Sequence, residues 1–379
     1  MNIKGTVGII VHKYKNPNIS SVPYGEQNNF FNELAIEAKK LNLELFIFQP
    51  KDISWEKKTI KTFHKVNDKF AEEEIPLPDV VYDRMFSRTV QEIETFKEIH
   101  RKFNQLNIPI ISSRKFIKLA CNKWKFYQLL HKSKFFRPHL PKTFLHETII
   151  TKNLLKKYQA VILKPKYGGL GTGIISVIKK NFILPIYIVE YQTKNNGIHK
   201  KHKKISISLK IISSLIKKSW KRGGGYIVQE KLTVAQYQKR VFDLRVMIQK
   251  TKKGWVVSGV GGRIAPPKGF LANIHAGGTI ENGADIIKNV FLKKSSVILK
   301  RIKKISVALA DYLEKSTGPA IEMGIDYILD KKGKIWIIEV NSKPSRFIFS
   351  RKDMLRLRKK MILRPLLYMK WLADNLNKK

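Results

Sequence analysis

The sequence holds a single cysteine, Cys121, in 379 residues. A lone thiol excludes an intramolecular disulfide framework and a zinc site built from several cysteines, and it fits a reducing compartment. Long hydrophobic runs are missing as well. No apolar stretch approaches the roughly 20 residues of a membrane-spanning helix, and the longest candidate, Phe182 to Val189, is short and interrupted by Pro185. The opening MNIKGTVGIIVHKY has too brief an apolar part for a signal peptide, lacks a small-residue cleavage site, and reads as a strand. With 15 Pro and 22 Gly the chain is neither fibrous nor linker-rich. Acid is scarce: 29 Asp and Glu stand against 74 Lys and Arg, for a formal net charge of +45.

Apolar residues make up 43% of the chain, enough to bury a core and exclude disorder as the dominant state. The length allows two or three domains. The excess positive charge attracts anions nonspecifically, whether nucleic acid, anionic membrane or acidic protein. It is spread along the chain, with two extremes. Residues 194–222 carry ten Lys or Arg and no acid, and residues 351–379 carry ten with two acids. Neither contains a recognisable nucleic-acid motif. Nonspecific polyanion binding is the expectation, and a solvated lysine-rich surface is the plainer reading of the same numbers.

The first third alternates strand and helix. Short β-branched or aromatic runs at 5–14, 43–50, 78–85 and 108–113 predict strands. Helical spacing predicts helices over Asn28–Leu41 and Thr89–Leu106, the latter with Val90, Ile93, Phe96, Ile99 and Phe103 on one side. That alternation predicts a small, mostly parallel α/β sheet. A helix is expected over 115–132, followed by a boundary at Pro138 and Pro141. Residues 160–180 then read as strand, glycine-rich turn and strand. The stretch 191–224 reads as a helix-like basic insertion. Strands resume at 225–232, 242–249 and 255–265. An amphipathic helix follows over 294–315, with Val297, Ile298, Ile302, Ile305, Leu309 and Leu313 on one side. A hairpin turned by Asp330 to Gly333 comes next, and a basic helix over 353–375 carries Leu355, Leu357, Met361, Leu366 and Trp371. No internal repeat is evident.

The hairpin MGIDYILDKKGKIWIIEVNS carries chemistry that its geometry makes explicit. If Asp330 and Gly333 close the turn, Asp326 faces Ile337 and Glu339 faces Gly324. Asp326 and Glu339 are then diagonal neighbours, about 7–8 Å apart at the backbone. Asn341, two residues beyond Glu339, projects from the same face. Two carboxylates and an amide oxygen suit a hard cation such as Mg²⁺. The neighbours Ile325, Tyr327, Ile337, Ile338 and Val340 are apolar, and a buried carboxylate without a cation or hydrogen bonds is costly. A second element is KYGGLGTG, where Gly168, Gly169, Gly171 and Gly173 leave backbone N–H groups able to approach phosphate oxygens. It lacks the Walker A ending and the Rossmann spacing, so a flexible strand connection fits the same residues. Lys164 ends the preceding strand, where it can neutralise phosphate charge.

Taken in order, these elements resemble the ATP-grasp superfamily. The series runs Lys123 in NKW, Lys164 in ILKPK, the flap GGLGTG, the hinge VQEKL, DLR at 243–245, Arg263, NIHAGG at 273–278, and Asp326, Glu339 and Asn341. Each piece is weak, but the ordered series over roughly 115–345 is specific. GVGGRI, the NIHAGG block and IEVNSKPS look most like the spore-coat-associated YheC/YheD branch.

The resemblance implies a pre-ATP-grasp α/β domain over 1–114 and a two-lobed α+β ATP-grasp domain over 115–379. The second would carry the basic insertion near 191–224 and the basic C-terminal helix. It implies ATP and one or two Mg²⁺ as cofactors, and carboxylate–amine ligation through an acylphosphate with unknown acid and amine substrates. Lys123 and Lys164 would contact phosphates, with Lys125 and Lys166 as alternatives. Gln229, Glu230 and Leu232 would bind adenine, and Asp243 the ribose. Arg245 and Asn273 would complete the nucleotide site, Arg263 and Lys164 would be catalytic, and Asp326, Glu339 and Asn341 would hold metal. Related ligases commonly carry Arg where this chain has Ala276, so a glutamate-adding activity is not implied. His275 reads either as a substrate contact or a turn cap, and Cys121 as a small core residue. A non-catalytic, spore-coat-associated ATP-binding protein and a basic nucleic-acid binder are the rival readings. A coat protein partner and a cytoplasmic or coat-associated location follow from the resemblance alone.

Overall fold

Four parallel strands organise the N-terminal part: β1 (Thr6–Ile10), β2 (Glu44–Phe48), β6 (Val80–Asp83) and β7 (Ile110–Ile111), in the order β2-β1-β6-β7. The structure, a computed structural model, describes residues 5–11, 27–66, 69–85, 90–169, 171–180, 186–195, 198–219, 224–272, 274 and 277–376. Strands β1 and β6 are apolar almost throughout because both faces of the sheet are covered. Helix α1 (Asn28–Lys40) places Phe30, Phe31, Leu34 and Ala38 on one face. Helix α2 (Val90–Gln105) places Phe96, Ile99 and Phe103 on the other, while Ile93 is turned outward. A three-stranded antiparallel sheet, β3 (Ile53–Ser54), β4 (Thr59–Val66) and β5 (Lys69–Pro76), was not legible in the sequence. Its strands are largely charged, and β5 carries three successive glutamates, a composition that strands usually avoid.

The expected helix over 115–132 is two helices, α3 (Arg114–Ala120) and α4 (Lys123–His131). The break is at Asn122, whose side-chain oxygen accepts from the backbone N–H groups of Trp124 and Lys125 and caps α4. A six-stranded sheet follows, built from β8 (Thr143–Leu145), β9 (Ala160–Pro165), β10 (Ile175–Lys179), β11 (Tyr187–Asn195), β12 (Ile198–Ser206) and β13 (Tyr226–Glu230) in the order β12-β11-β10-β9-β13-β8. Helices α5 (Thr148–Tyr158) and α6 (Lys210–Ser219) bury Leu154, Leu155, Ile212 and Leu215 against it. The basic segment is therefore mostly a β-hairpin, not a helix. Its lysine run has no apolar stripe at helical spacing, and β11 supplies β12 with a complete ladder from Tyr187 opposite Ser206 to Asn195 opposite Ile198. Only its last part, α6, has such a stripe and is helical.

The third layer is a long antiparallel sheet: β14 (Gln236–Tyr237), β15 (Arg240–Thr251), β16 (Gly254–Ile264), β17 (Thr279–Asn282), β18 (Glu322–Leu329) and β19 (Ile335–Asn341). Its main path is β17-β16-β15-β18-β19, with β14 paired to β15. Alternate residues of β15 and β18, from Phe242 to Ile248 and from Met323 to Leu329, face α7 (Gly283–Phe291) and α8 (Ser295–Thr317). Ile298, Ile302, Ile305, Leu309 and Leu313 of α8 are buried there as expected, but Val297 is 48% exposed, one position off the stripe. The opposite sheet face, bearing Asp243, Arg245 and Asp326, is left for the site.

Helix α9 (Leu355–Leu376) ties the layers together. Met361 packs on the β15 side, whereas Ile362, Leu366, Met369 and Ala373 enter the core formed by β1, β6 and α1. Leu355 and Trp371, expected on its apolar stripe, are largely exposed. Arg358 donates to both carboxylate oxygens of Glu33 on α1, at 3.0 and 2.9 Å. Glu322, at the start of β18 and fully buried, accepts from Tyr82 of β6 at 2.6 Å and from Gln249 of β15 at 3.0 Å, and also pairs with Arg346. No helix among the described residues is long and apolar enough to cross a membrane.

Leu366→Ala should therefore lower stability by about 2–5 kcal/mol, because a fully buried side chain leaves a cavity between two packed units. Trp371→Ala on the exposed flank of the same helix should cost clearly less. Urea unfolding of the two variants beside the parent checks the ordering.

Candidate active site

The β18–β19 hairpin sets the first part of the site, and its register differs from the expected one twice. Asp330 N–H donates to Lys334 C=O at 3.1 Å and Gly333 N–H to Asp330 C=O at 2.9 Å, so Tyr327 faces Ile337. Carried on unchanged, that register would turn Glu339 toward α8, on the side of Ile335 and Ile337. A bulge at Ile338 restores the other parity, and Asp326 faces Glu339 directly while Gly324 faces Asn341. The two carboxylates are thus opposed, not diagonal. Asn341 Nδ2 donates weakly to Gly324 C=O at 3.5 Å, which leaves its amide oxygen available.

Asp326 is held from two strands. Arg245 on β15 grips both of its oxygens, one contact at 2.9 Å, and Arg263 on β16 adds a contact at 2.9 Å. Arg263 also forms a two-pronged pair with Asp243, at 2.6 and 2.9 Å, its partner directly across the ladder. Gly324 makes room for this: a Cβ there would lie 3.0 Å from Arg245 Cδ and 3.0 Å from Pro344 Cβ. Burial alone would raise the Asp326 carboxyl, but the Arg245 and Arg263 guanidiniums hold it well below the usual carboxylate range. Burial pushes Asp243 the other way, upward, against the pull of Arg263. Both oxygens of Asp243 are engaged by Arg263, an arrangement that aims the arginine.

The second part comes from the six-stranded sheet. Lys164, at the end of β9, is buried and donates to Gln229 Oε1 at 2.8 Å, and the Gln229 amide donates in turn to Thr143 at 2.8 Å. Burial pushes the Lys164 ammonium down to about 8, with Glu339 opposing that shift. Lys123 is the first residue of α4. Its backbone N–H donates to Lys166 C=O at 2.9 Å, and Asn122 Nδ2 donates to the Tyr167 hydroxyl at 3.0 Å, so the helix start is fastened to the root of the glycine loop. The Lys123 ammonium donates to Gly168 C=O and lies 3.8 Å from Glu339. Gly168, Gly171 and Gly173 have φ of +110°, +70° and +75°, a region that favours glycine, and Gly169 is open to its surroundings. Glu230 accepts from Lys142 N–H at 2.7 Å, which fixes the segment entering Leu232.

These groups line one cleft of about 1160 Å³ between the two sheets. It gathers Lys123, Lys164, Gly168, Gly169, Gly171, Gln229, Glu230, Leu232, Asp243, Arg245, Arg263, Asp326, Glu339 and Asn341. Gly173 lies beyond its lining, packed against Pro165. Asn273, His275 and Ala276 are outside the described residues. Cys121, expected in the core, is exposed at the end of α3. Among the described residues no group of three or more His, Cys, Asp or Glu is arranged to hold a metal ion. Sequence reasoning missed Lys343, which lines the cleft and donates to the buried Asp83 at 2.9 Å; Asp83 in turn meets His100 at 3.1 Å. Continuing the alternation two residues past Asn341 would have found it. It also missed Asn29, by which α1 of the N-terminal unit reaches the same cleft.

A family model described as YheC/D-like ATP-grasp matches residues 109–372. The chain is 27% identical over 345 residues to the endospore coat-associated protein YheD of Bacillus subtilis (strain 168), covering 86% of this chain and 70% of YheD. It is 27% identical over 326 residues to the endospore coat-associated protein YheC of the same organism, covering 83% and 84% respectively. Among solved structures it is similar to a D-alanine–D-alanine ligase from Bacillus anthracis complexed with ATP, with TM-score 0.55, 11% identity and 99% of each chain covered. That likeness shows the fold: an α/β domain ahead of a two-lobed ATP-grasp domain.

Asp326→Asn removes the anion that two buried guanidiniums share and that is Arg245's ion-pair partner among the described residues. It should cost about 3–5 kcal/mol of stability. Glu339→Gln, at a side chain 27% exposed and 3.8 Å from its nearest cation, should cost less than about 1 kcal/mol. Equal losses in urea unfolding would contradict the inequivalence of the two carboxylates.

Proposed function

The chain belongs to the YheC/D-like ATP-grasp family, and on that premise we propose that it binds Mg-ATP and uses it to join a carboxylate to an amine through an acylphosphate. One observation carries this reading: Lys123, Lys164 and the glycine loop on one lobe face Asp243, Arg263, Asp326 and Glu339 on the other across a single cleft. Lys123 and Lys164 act as point charges on the phosphates, and the backbone of Gly168, Gly169 and Gly171 cradles them. The hinge at Gln229, Glu230 and Leu232 takes the adenine. Asp243 orients Arg263 and, through it, the charge that Arg263 offers to the phosphoryl group in the transition state. Arg245 holds Asp326 in place.

The donor set fits a hard cation, with the Glu339 carboxylate and the Asn341 amide oxygen facing the cleft beside Asp326. Bound there, Mg²⁺ would neutralise phosphate charge during transfer. Little covalent work falls to side chains; positioning and charge neutralisation dominate. Glu339 and Asn341 are the freer ligands, because both oxygens of Asp326 are already gripped by arginine. That grip is also the observation that favours a second reading, an ATP-binding, coat-associated protein without turnover. Association with a spore coat, with synthesis in the cytoplasm, is proposed from what the two Bacillus relatives are named for.

Nucleotide at 100 times its dissociation constant should add about 2.7 kcal/mol to stability. Melting with and without Mg-ATP, together with titration calorimetry, reads this. ADP release against candidate acid and amine pairs separates the two readings: Glu339→Gln should abolish most release while the protein stays folded. If the parent binds Mg-ATP and no pair yields ADP, the non-catalytic reading stands.

The pH dependence follows from Lys164. Its ammonium loses a proton near pH 8 in the free protein, whereas bound phosphates favour the charged form. Affinity for Mg-ATP is therefore full below about 8 and weakens as pH rises above it, by up to about tenfold per unit. Lys164→Arg keeps its charge and should flatten that slope. A flat profile for the parent would remove Lys164 from the phosphate site.

A further inference from the structure

Among the described residues, ten Lys and Arg against five Asp and Glu line the cleft. Arg245 and Arg263 are spent on Asp243 and Asp326, Lys343 on Asp83, and Lys123 and Lys164 on the proposed phosphates. Lys231 lies 3.8 Å from Glu190, and the four other lining cations fall together. Lys239 sits in the β14–β15 turn, Lys268 in the turn after β16, and Lys331 in the β18–β19 turn, all three exposed. In an antiparallel sheet these turns fall at one end, because the start of β15 lies beside the ends of β16 and β18. Arg240 joins them, tethered to Ala265 C=O at 2.6 Å and to Thr279 at 3.3 Å. No acidic residue of these turns contributes to the lining.

This rim is too far away to serve the phosphates. Lys239 is four residues from Asp243, roughly 13 Å along the strand, and Lys331 is five residues past Asp326. The rim adjoins the hinge, where the nucleotide would present its uncharged nucleoside. The cleft volume also exceeds the roughly 300–1,000 Å³ of a single small-ligand pocket. Apolar side chains share the lining: Phe270 and Leu271 follow Lys268, and Phe347, 59% exposed, lies elsewhere in the same cleft.

We infer that the basic rim receives an acidic peptide segment as the substrate chain, with its reacting end at the Asp326–Glu339 row a few residues away. The inference rests on the ligase reading above, since a peptide supplies the carboxylate or amine that such a reaction joins and a nucleic acid supplies neither in that form. Mixed apolar and cationic lining fits a peptide with acidic and apolar side chains better than a bare polyphosphate.

The test is fluorescence anisotropy with fluorescein-labelled hexaglutamate at physiological ionic strength, with a labelled thymidine hexanucleotide for comparison. The variants are Lys239→Glu/Lys268→Glu/Lys331→Glu at the rim and Lys300→Glu/Lys303→Glu/Lys304→Glu on the exposed face of α8, across the sheet from the cleft. Melting curves verify that both fold. The expected result is a loss of about tenfold or more in hexaglutamate affinity for the rim variant and less than about twofold for the α8 variant. Equal losses would mean that only the overall field binds anions, and would overturn the inference. So would absence of saturable binding, or tighter rim-dependent binding of the hexanucleotide, which would assign the rim to nucleic acid. Calorimetry with Mg-ATP on the parent reads the nucleotide site separately, so a failure of the ATP-grasp activity reading is distinguishable from a failure of the rim.

Discussion

Four alternating charges in a row, Asp243, Arg263, Asp326 and Arg245, form the floor on which the rest of the cleft depends. They occupy three neighbouring strands and satisfy one another almost completely. Burying such a row costs desolvation that only good geometry offsets, and the two-pronged contacts supply that geometry. The long β15–β16 ladder, the small Gly324 beside Arg245 and the helices on the far face all serve to keep those strands in line. A stiff, internally neutral floor leaves the variable charge of the cleft to the opposite lobe and to the rim.

Glu339 shows how a local irregularity decides chemistry. Strand periodicity would have pointed it into the α8 core, where a carboxylate is costly. One extra residue, Ile338, turns it back to the cleft. The site therefore pairs one acid locked by arginines with another facing the glycine loop's lobe and Lys123. The same hairpin continues into Lys343, which pairs with Asp83 of the N-terminal sheet, and Arg346, which pairs back onto Glu322 at the start of β18. The carboxylate hairpin is thus tied to the N-terminal sheet through Asp83 and to α9 through Arg346, which donates to Met361 C=O.

Much of this was legible in the sequence. The parallel sheet, the glycine loop after Lys164 and the hairpin carboxylates follow from apolar periodicity and turn residues, and their order along the chain resembles one superfamily. What was not legible had physical reasons. The hairpin register depended on a turn one residue different from the simplest closure and on a bulge that leaves no compositional mark. The strands β4, β5 and β12 are charged, so their pairing is set by neighbours and not by propensity. The engagement of Gln229 by Lys164 and Thr143, and of Asp243 by Arg263, joins residues that are distant in sequence.

Helix α9 has a consequence for the order in which the protein can be made. The face of the N-terminal sheet formed by β1 and β6 is closed by Ile362, Leu366, Met369 and Ala373, which are translated long after those strands. At a synthesis rate of about 5–20 residues per second, that apolar face waits on the order of tens of seconds for its cover. The sheet of β1 and β6 precedes the two larger sheets in translation yet is covered after them, and a nascent chain paused before α9 would expose a sticky half-core. Chaperone dependence should accordingly concentrate on the segment that carries β1, α1 and β6.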